Sequence, residues 1–393
     1  MKFSRKRLFI MAAIISVVAI LVRVLVRDIE TGDYRDFLQE WFFDLKEKGG
    51  LPGLRDYIGN YNAAYMTILA LLTYLPIRPL YSIKAVSVLF DFLLAEGAVL
   101  FSRELIRKKK MKQEERYGFY LLVFTISLFL PTVVLNGALW GQCDSIYAAF
   151  SVFSLFFLVK KRYSISLLVF GAALAFKLQT IFLLPVFGIV WIMNRVQETG
   201  EFSIFNFLLI PFAGFLLAFP AILNGMPIGK LLSVYLGQTT EYAEFLTLNF
   251  PNIYVFLGNV ANKELVYKIG IFFTLLLLLG ILGAVLFRNR KEKIEVDGEK
   301  ILLLAIVVLM VVVFFLPGMH ERYFYVGEIL ILIYAMAEKR DYWFLFGMQT
   351  IAVYTYLRYF SGGRIFAVPE VAAIIFCFSG IFFFRQRVLE KKL

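Results

Sequence analysis

The chain has 393 residues, 60% of them hydrophobic and 17% aromatic, and a mean hydropathy of +0.76. Soluble globular domains carry about 45–50% apolar residues, so this composition excludes a soluble fold and points to a polytopic membrane protein. A formal charge of +12 would suit nucleic acid in a soluble protein, but here Lys and Arg gather in short loops between apolar runs, without base-stacking aromatics. That is the pattern of cytoplasmic loops, and nucleic acid is not an expected partner.

In chain order, the basic start "MKFSRKRLF" places the N-terminus in the cytoplasm, and Leu8–Val26 is read as a retained first span, too long for a signal-peptide core. Residues 27–79 form a long outer loop. Within it the apolar stretch 63–76 is short and ends at Pro76, so it is expected to lie along the interface. If it crossed, "RELIRKKKMK" (103–112) would face outward, against the positive-inside bias. The following spans are Leu80–Phe101, Tyr117–Leu135 and Ile146–Val159. Residues 164–194 read as two short spans meeting near Lys177, and Ile204–Leu223 as a seventh. A second outer loop, 224–262, precedes Leu265–Phe287, Ile301–Leu316, Tyr325–Ala337, Tyr342–Leu357 and Ile365–Phe384. The expectation is an all-α polytopic protein of about twelve spans in a single domain, 1–393, with both termini cytoplasmic. Every dense basic cluster then falls inside, while Arg358 and Arg364 are left outside.

An ionisable group in or beside hydrocarbon is expensive and asks for a reason. Under this topology Asp33, Gln142, Asp144, Lys177, Gln179, His320, Glu321 and Arg322 all reach the outer face. Lys177, in the break of "AFKLQTIF", suits contact with a ligand, or a buried acid, and Gln142 and Gln179 are candidate polar partners. His320 and Arg322, in "LPGMHERYFY", offer a guanidinium fork and an imidazole to phosphate oxygens, with Glu321 balancing charge. Asp144 is either a ligand contact or the N-cap of its helix. Asp33 follows Gly32, which permits a turn aiming its carboxylate at the membrane, while Asp36 and Glu40 read as a solvated helix face. Asp91 and Glu96 read as structural, with Lys84 or another span's polar group as partner. Cys143 and Cys377 have no metal-ligand spacing, and no disulfide is expected. Cations clustered at the outer-leaflet level suit a lipid phosphate better than an aqueous anion.

The segments "TGDYRDFLQEW", "GNYNAAYMTILALL", "WGQCDSIYAAF", "AFKLQTIFLLPVF", "LTLNFPNIY" and "LPGMHERYFY" occur in this order. Together they resemble the GT-C superfamily of integral-membrane glycosyltransferases, most of all bacterial proteins related to the second mannosyltransferase of GPI-anchor synthesis. The resemblance covers about residues 28–330, with Ala63-Ala64 where the family usually has Pro-Pro. It implies a GT-C fold in a bacterial plasma membrane, a polyprenyl-phosphate sugar donor, and a glycan or lipid-linked acceptor on the extracytoplasmic side. It also implies inverting transfer of a hexose. Asp33 would be the general base, His320 and Arg322 would bind the donor phosphate with help from Lys177, and Gln142, Asp144 and Gln179 would contact substrate. No obligatory cofactor is expected, and a role for a divalent metal stays open. Two other readings are a flippase for lipid-linked sugars, which should show internal repeats and a midplane site, and a non-catalytic envelope-assembly protein.

Overall fold

The computed structural model describes residues 4–240, 244–258, 260–292, 296–364 and 368–390. The helices in chain order are α1 (Arg5–Leu25), α2 (Gln39–Glu47), α3 (Ala63–Leu72), α4 (Pro79–Leu105) and α5 (Gln113–Phe129). Then follow α6 (Pro131–Trp140), α7 (Asp144–Val159), α8 (Tyr163–Phe176), α9 (Leu184–Val196), α10 (Leu209–Leu223) and α11 (Ile228–Thr240). The last five are α12 (Lys263–Glu292), α13 (Gly298–Phe315), α14 (Tyr325–Glu338), α15 (Tyr342–Phe360) and α16 (Pro369–Leu389). Among the described residues the only strands are the parallel pair β1 (Thr247–Leu248) and β2 (Met319–His320).

The protein is thus an all-α polytopic membrane protein. Seven helices are long and apolar enough to cross a bilayer, or eight if the bent pair α5–α6 is one span. The other expected spans coincide with shorter or less apolar helices: α7, α8, α14 and α15. The start of the expected last span, 365–367, lies outside the described residues.

Local chemistry sets the breaks. The expected span Tyr117–Leu135 is not continuous: Pro131 forces Leu130 into an extended conformation, and the axis turns by 48° into α6. The residues before Lys177 form α8, and Lys177 itself is extended, so the expected break is present. The 224–262 segment is more structured than a loop. It holds α11, β1 and a 3₁₀ turn at Ile253–Phe256, with residues 241–243 and 259 outside the description.

Two compact units are present. In the first (1–158, 162–180 and 205–240), α4 packs on α5, α1 on α5, and α10 on α8 and α3. Helix α3 is ten residues long, about 15 Å, half of a hydrocarbon core of about 30 Å. It buries Ala63, Ala64, Tyr65, Met66, Leu69 and Ala70 against the rest of its unit and leaves Leu71 exposed. A buried ion pair, Arg23 Nε to Asp91 Oδ2 at 2.9 Å, ties α1 to α4, and Ser145 of α7 donates to the same carboxylate. Lys84, the partner that the sequence offered Asp91, instead donates to the carbonyls of Val26, Arg27 and Ile29 at the C-terminal end of α1. A cation suits that end of a helix.

In the second unit (159–161, 181–204 and 241–393), α13 packs on α14, α12, α9 and α16, and α15 lies between α14 and α16. Helix α13 is nearly all buried, which fits its unbroken run of Leu, Ile and Val. By contrast α12 leaves most of its surface exposed, as a lipid-facing helix does.

Candidate functional site

Two clusters of polar side chains stand out, one in each unit. In the first unit Thr31, Gly32 and Asp33 lead into a helical segment that continues into α2. Gly32 has no left-handed backbone and Asp33 is αR, so the expected glycine turn is not what aims the carboxylate. The aim comes from α6 and the turn after it. Trp140 Nε1 donates to Asp33 Oδ2 at 3.1 Å, and Gln142 Nε2 donates to the same oxygen. The turn needs Gly141 at φ +78°, a left-handed conformation that glycine adopts at no steric cost. Thr31 Oγ1 donates to the Trp140 carbonyl at 3.1 Å and locks the two segments together. Asp33 is half-buried, whereas Asp36 and Glu40 are exposed, as a solvated face requires.

Behind Asp33 lies a second layer. Tyr61 Oη donates to Gln142 Oε1 at 3.3 Å. Asn136 Nδ2 donates to Asp144 Oδ2 at 2.7 Å, and Lys177 Nζ is ion-paired with Asp144 Oδ1. Lys177 Nζ also lies 5.7 Å from the Tyr61 ring centre and 5.9 Å from that of Tyr147. Asp144 is the first residue of α7, and its carboxylate serves Lys177 and Asn136. Five residues expected at a site thus take their places in one unit: Asp33, Gln142, Asp144 and Lys177 form a connected network, and Gln179 follows on the 3₁₀ turn Leu178–Leu183. The Gln179 Oε1 atom is buried without a hydrogen-bond partner among the described residues. Sequence reasoning passed over Trp140, Asn136 and Tyr61. Trp140 stands two residues before Gln142 in the quoted "WGQCDSIY", and a polar-edged aromatic beside Gly was the available signal.

The second cluster sits between α13 and α14. Gly318, at φ +76°, turns the chain and donates its N–H to the Leu246 carbonyl at 3.0 Å, which sets β2 beside β1. His320 is bridged to Asn249, and its ring lies 5.0 Å from that of Tyr323. Glu321 is buried, 2% exposed, and accepts from Arg322 Nη1 at 2.7 Å, while His320 Nδ1 lies 3.9 Å from its other oxygen. Burial opposes its ionisation, but the imidazole and guanidinium beside it prevail and hold the carboxyl below the usual glutamate range. Thr355 of α15 donates to the Glu321 carbonyl at 3.0 Å and pins the loop. Glu321 therefore does more than balance charge: it holds the Arg322 guanidinium in place.

Cys143 and Cys377 are not joined in a disulfide. Among the described residues no three His, Cys, Asp or Glu side chains are grouped so as to share a metal ion. Comparison of the sequence with protein-family models gives no match, and comparison with curated proteins gives none.

Proposed function

We propose that the protein is a membrane glycosyltransferase of GT-C type. In this reading it moves a hexose from a polyprenyl-phosphate donor to an extracytoplasmic glycan or lipid acceptor, with inversion at C1. The observation that carries the reading is the Asp33 carboxylate, half-buried and held by two nitrogen donors on one oxygen. A general base has to be oriented by neighbours that do not neutralise it, and indole and amide N–H groups are uncharged.

The step proposed is a direct displacement. Asp33 takes the proton of the acceptor hydroxyl as that oxygen bonds to C1. The bond from C1 to the donor phosphate breaks, and its electron pair leaves with the polyprenyl phosphate. The leaving group gains one negative charge, and Arg322 and His320 are assigned to meet it. The Glu321 carboxylate holds Arg322 in orientation, with His320 beside it. Lys177 is assigned to assist with the donor phosphate; in the structure its ammonium is ion-paired with Asp144. The twelve-span GT-C architecture, the bacterial plasma membrane and an outward-facing site belong to the same proposal. They rest on the ordered motifs and the basic loops.

The test is a transfer assay with the purified full chain, a polyprenyl-phosphate hexose and candidate acceptors. Asp33→Asn is expected to lower kcat by about a hundredfold or more with donor binding kept. Arg322→Ala is expected to weaken donor binding by about tenfold or more. Full transfer by Asp33→Asn would remove the base assignment, and an unchanged donor affinity in Arg322→Ala would remove the phosphate assignment.

A further inference from the structure

The second unit contains a cavity of about 300 Å³ that the transfer scheme does not use. Thr247, Asn249, Tyr254, Arg358 and Pro369 contribute to its wall. Among the described residues lining it, Arg358 is the one charged group, and none is acidic. Arg358 lies in the last turn of α15, three residues after Thr355. Its Nε and Nη1 atoms are buried and have no hydrogen-bond partner among the described residues. A basic residue in that turn can serve the end of a helix dipole, but capping would occupy these donors, and they are unused. Arg358 is half-buried, and its two guanidinium nitrogens shielded from water without acceptors favour an anion at this place.

The lining says what kind. Burial pushes the Tyr254 phenol up to about 12, so it stays protonated and adds no competing anion. Asn249 holds a left-handed backbone at φ +67° and supplies an amide to the wall. The Asn249 amide beside the Arg358 guanidinium suits the acceptor oxygens of a phosphate, while the hydroxyls of Thr247 and Tyr254 are taken, donating to the carbonyls of Phe250 and Phe315. A volume near 300 Å³ is at the small end of ligand pockets, so it exceeds a bare phosphate and has room for an attached polar group.

We propose that this cavity binds a phosphate-bearing polar headgroup, with Arg358 as its anchor. The cavity borders the phosphate grip assigned above, since Thr247 and Asn249 of its wall pair with Met319 and His320, but it uses Arg358 and is tested by binding alone, without any transfer assay. The phosphate can belong to a membrane lipid or to a soluble compound. The probes are phosphatidylglycerol, glycerol 3-phosphate and inorganic phosphate, added to the full chain in neutral detergent. Diacylglycerol and chloride at matched ionic strength are the controls. Lipid retention is read by native mass spectrometry and the soluble probes by thermal shift.

Arg358→Gln should weaken phosphate-probe binding by about ten- to a hundredfold. Because that variant can fail to fold, Asn249→Asp is the second arm. It sets a carboxylate in the wall to occupy Arg358, so binding should fall by at least as much while the melting temperature holds. Binding of phosphatidylglycerol alone identifies a lipid source, and equal binding of all three probes identifies a soluble one. Wild-type affinity in Asn249→Asp, or no probe binding above the controls in the wild type, overturns the proposal.

Discussion

Glu321 carries a pH signature that belongs to a single residue. Its folded-state carboxyl titrates below the ordinary value of about 4.3, so ionised Glu321 stabilises the fold above that value. That contribution is lost as the pH falls through the depressed folded value. The difference in melting temperature between wild type and Glu321→Gln should therefore be present above about pH 5 and shrink below about pH 4. A difference unchanged down to about pH 3 would mean that Glu321 is not held by its charge. The sequence placed His320, Glu321 and Arg322 together because they are adjacent, yet adjacency did not say that Glu321 is buried and holds Arg322. The same limit applies to Asp91. Its need for a partner was legible, but Arg23 lies 68 residues away, and only the packing of α1 on α4 and α5 brings it close. Arg358, a cation in an apolar helix, was visible by the rule that singled out Lys177. Charge bias alone places it outside and cannot tell a stray loop arginine from one at a cavity.

Helices show where composition suffices and where geometry takes over. The long apolar runs gave α1, α4, α12 and α13 to within a few residues, because a bilayer span demands length and apolarity together. The bend at Pro131 and the helix α11 were not legible. A proline can end, start or kink a helix, and α11 is held by distant partners, Lys230 Nζ to the Tyr57 carbonyl at 3.2 Å and Gln238 Nε2 to the Asn60 carbonyl at 2.7 Å. The contact between α8 and α10 depends on Gly171, where a Cβ would stand 2.5 Å from the Ile210 carbonyl oxygen and 2.8 Å from its Cα. These are backbone atoms and cannot swing away, so small residues are what let the helices approach. Gly171→Val should destabilise by about 1–3 kcal/mol, read as thermal unfolding of the full chain in detergent. Gly118 of α5 has nothing within 4 Å of an added Cβ, and Gly118→Ala should be neutral or stabilising by up to about 1 kcal/mol. Equal effects at the two sites would mean that close packing is not what Gly171 provides.

At the scale of the whole chain the question is which ends share a side of the membrane. In the second unit four helices answer for themselves. Arg340, after α14, meets Glu299 at the start of α13 at 3.7 Å and Glu390, after α16, at 2.8 Å. Arg387 of α16 meets Asp341, just before α15, at 2.8 Å. The start of α13, the end of α14, the start of α15 and the end of α16 therefore lie together, so α13 to α16 alternate in direction. The His320 loop, the end of α15 and Arg358 belong to the opposite end. In the second unit this alternation sets Arg340 and Arg387 at the end opposite the His320 loop, and in the first unit the proposed topology turns on the short helix α3. If α3 does not cross, α1 and α4 return the basic 103–112 segment to the side of the N-terminus; if it crosses, that segment faces out. Single cysteines at Lys6, Lys108 and Lys291, with Cys143 and Cys377 replaced, should resist a membrane-impermeant thiol reagent in intact cells and react after lysis. Cysteines at Asp56 and Glu244 should react from outside. Labelling of Lys108→Cys in intact cells would make α3 a span, turn the basic loop outward and remove the outward placement assigned to Asp144 and Lys177.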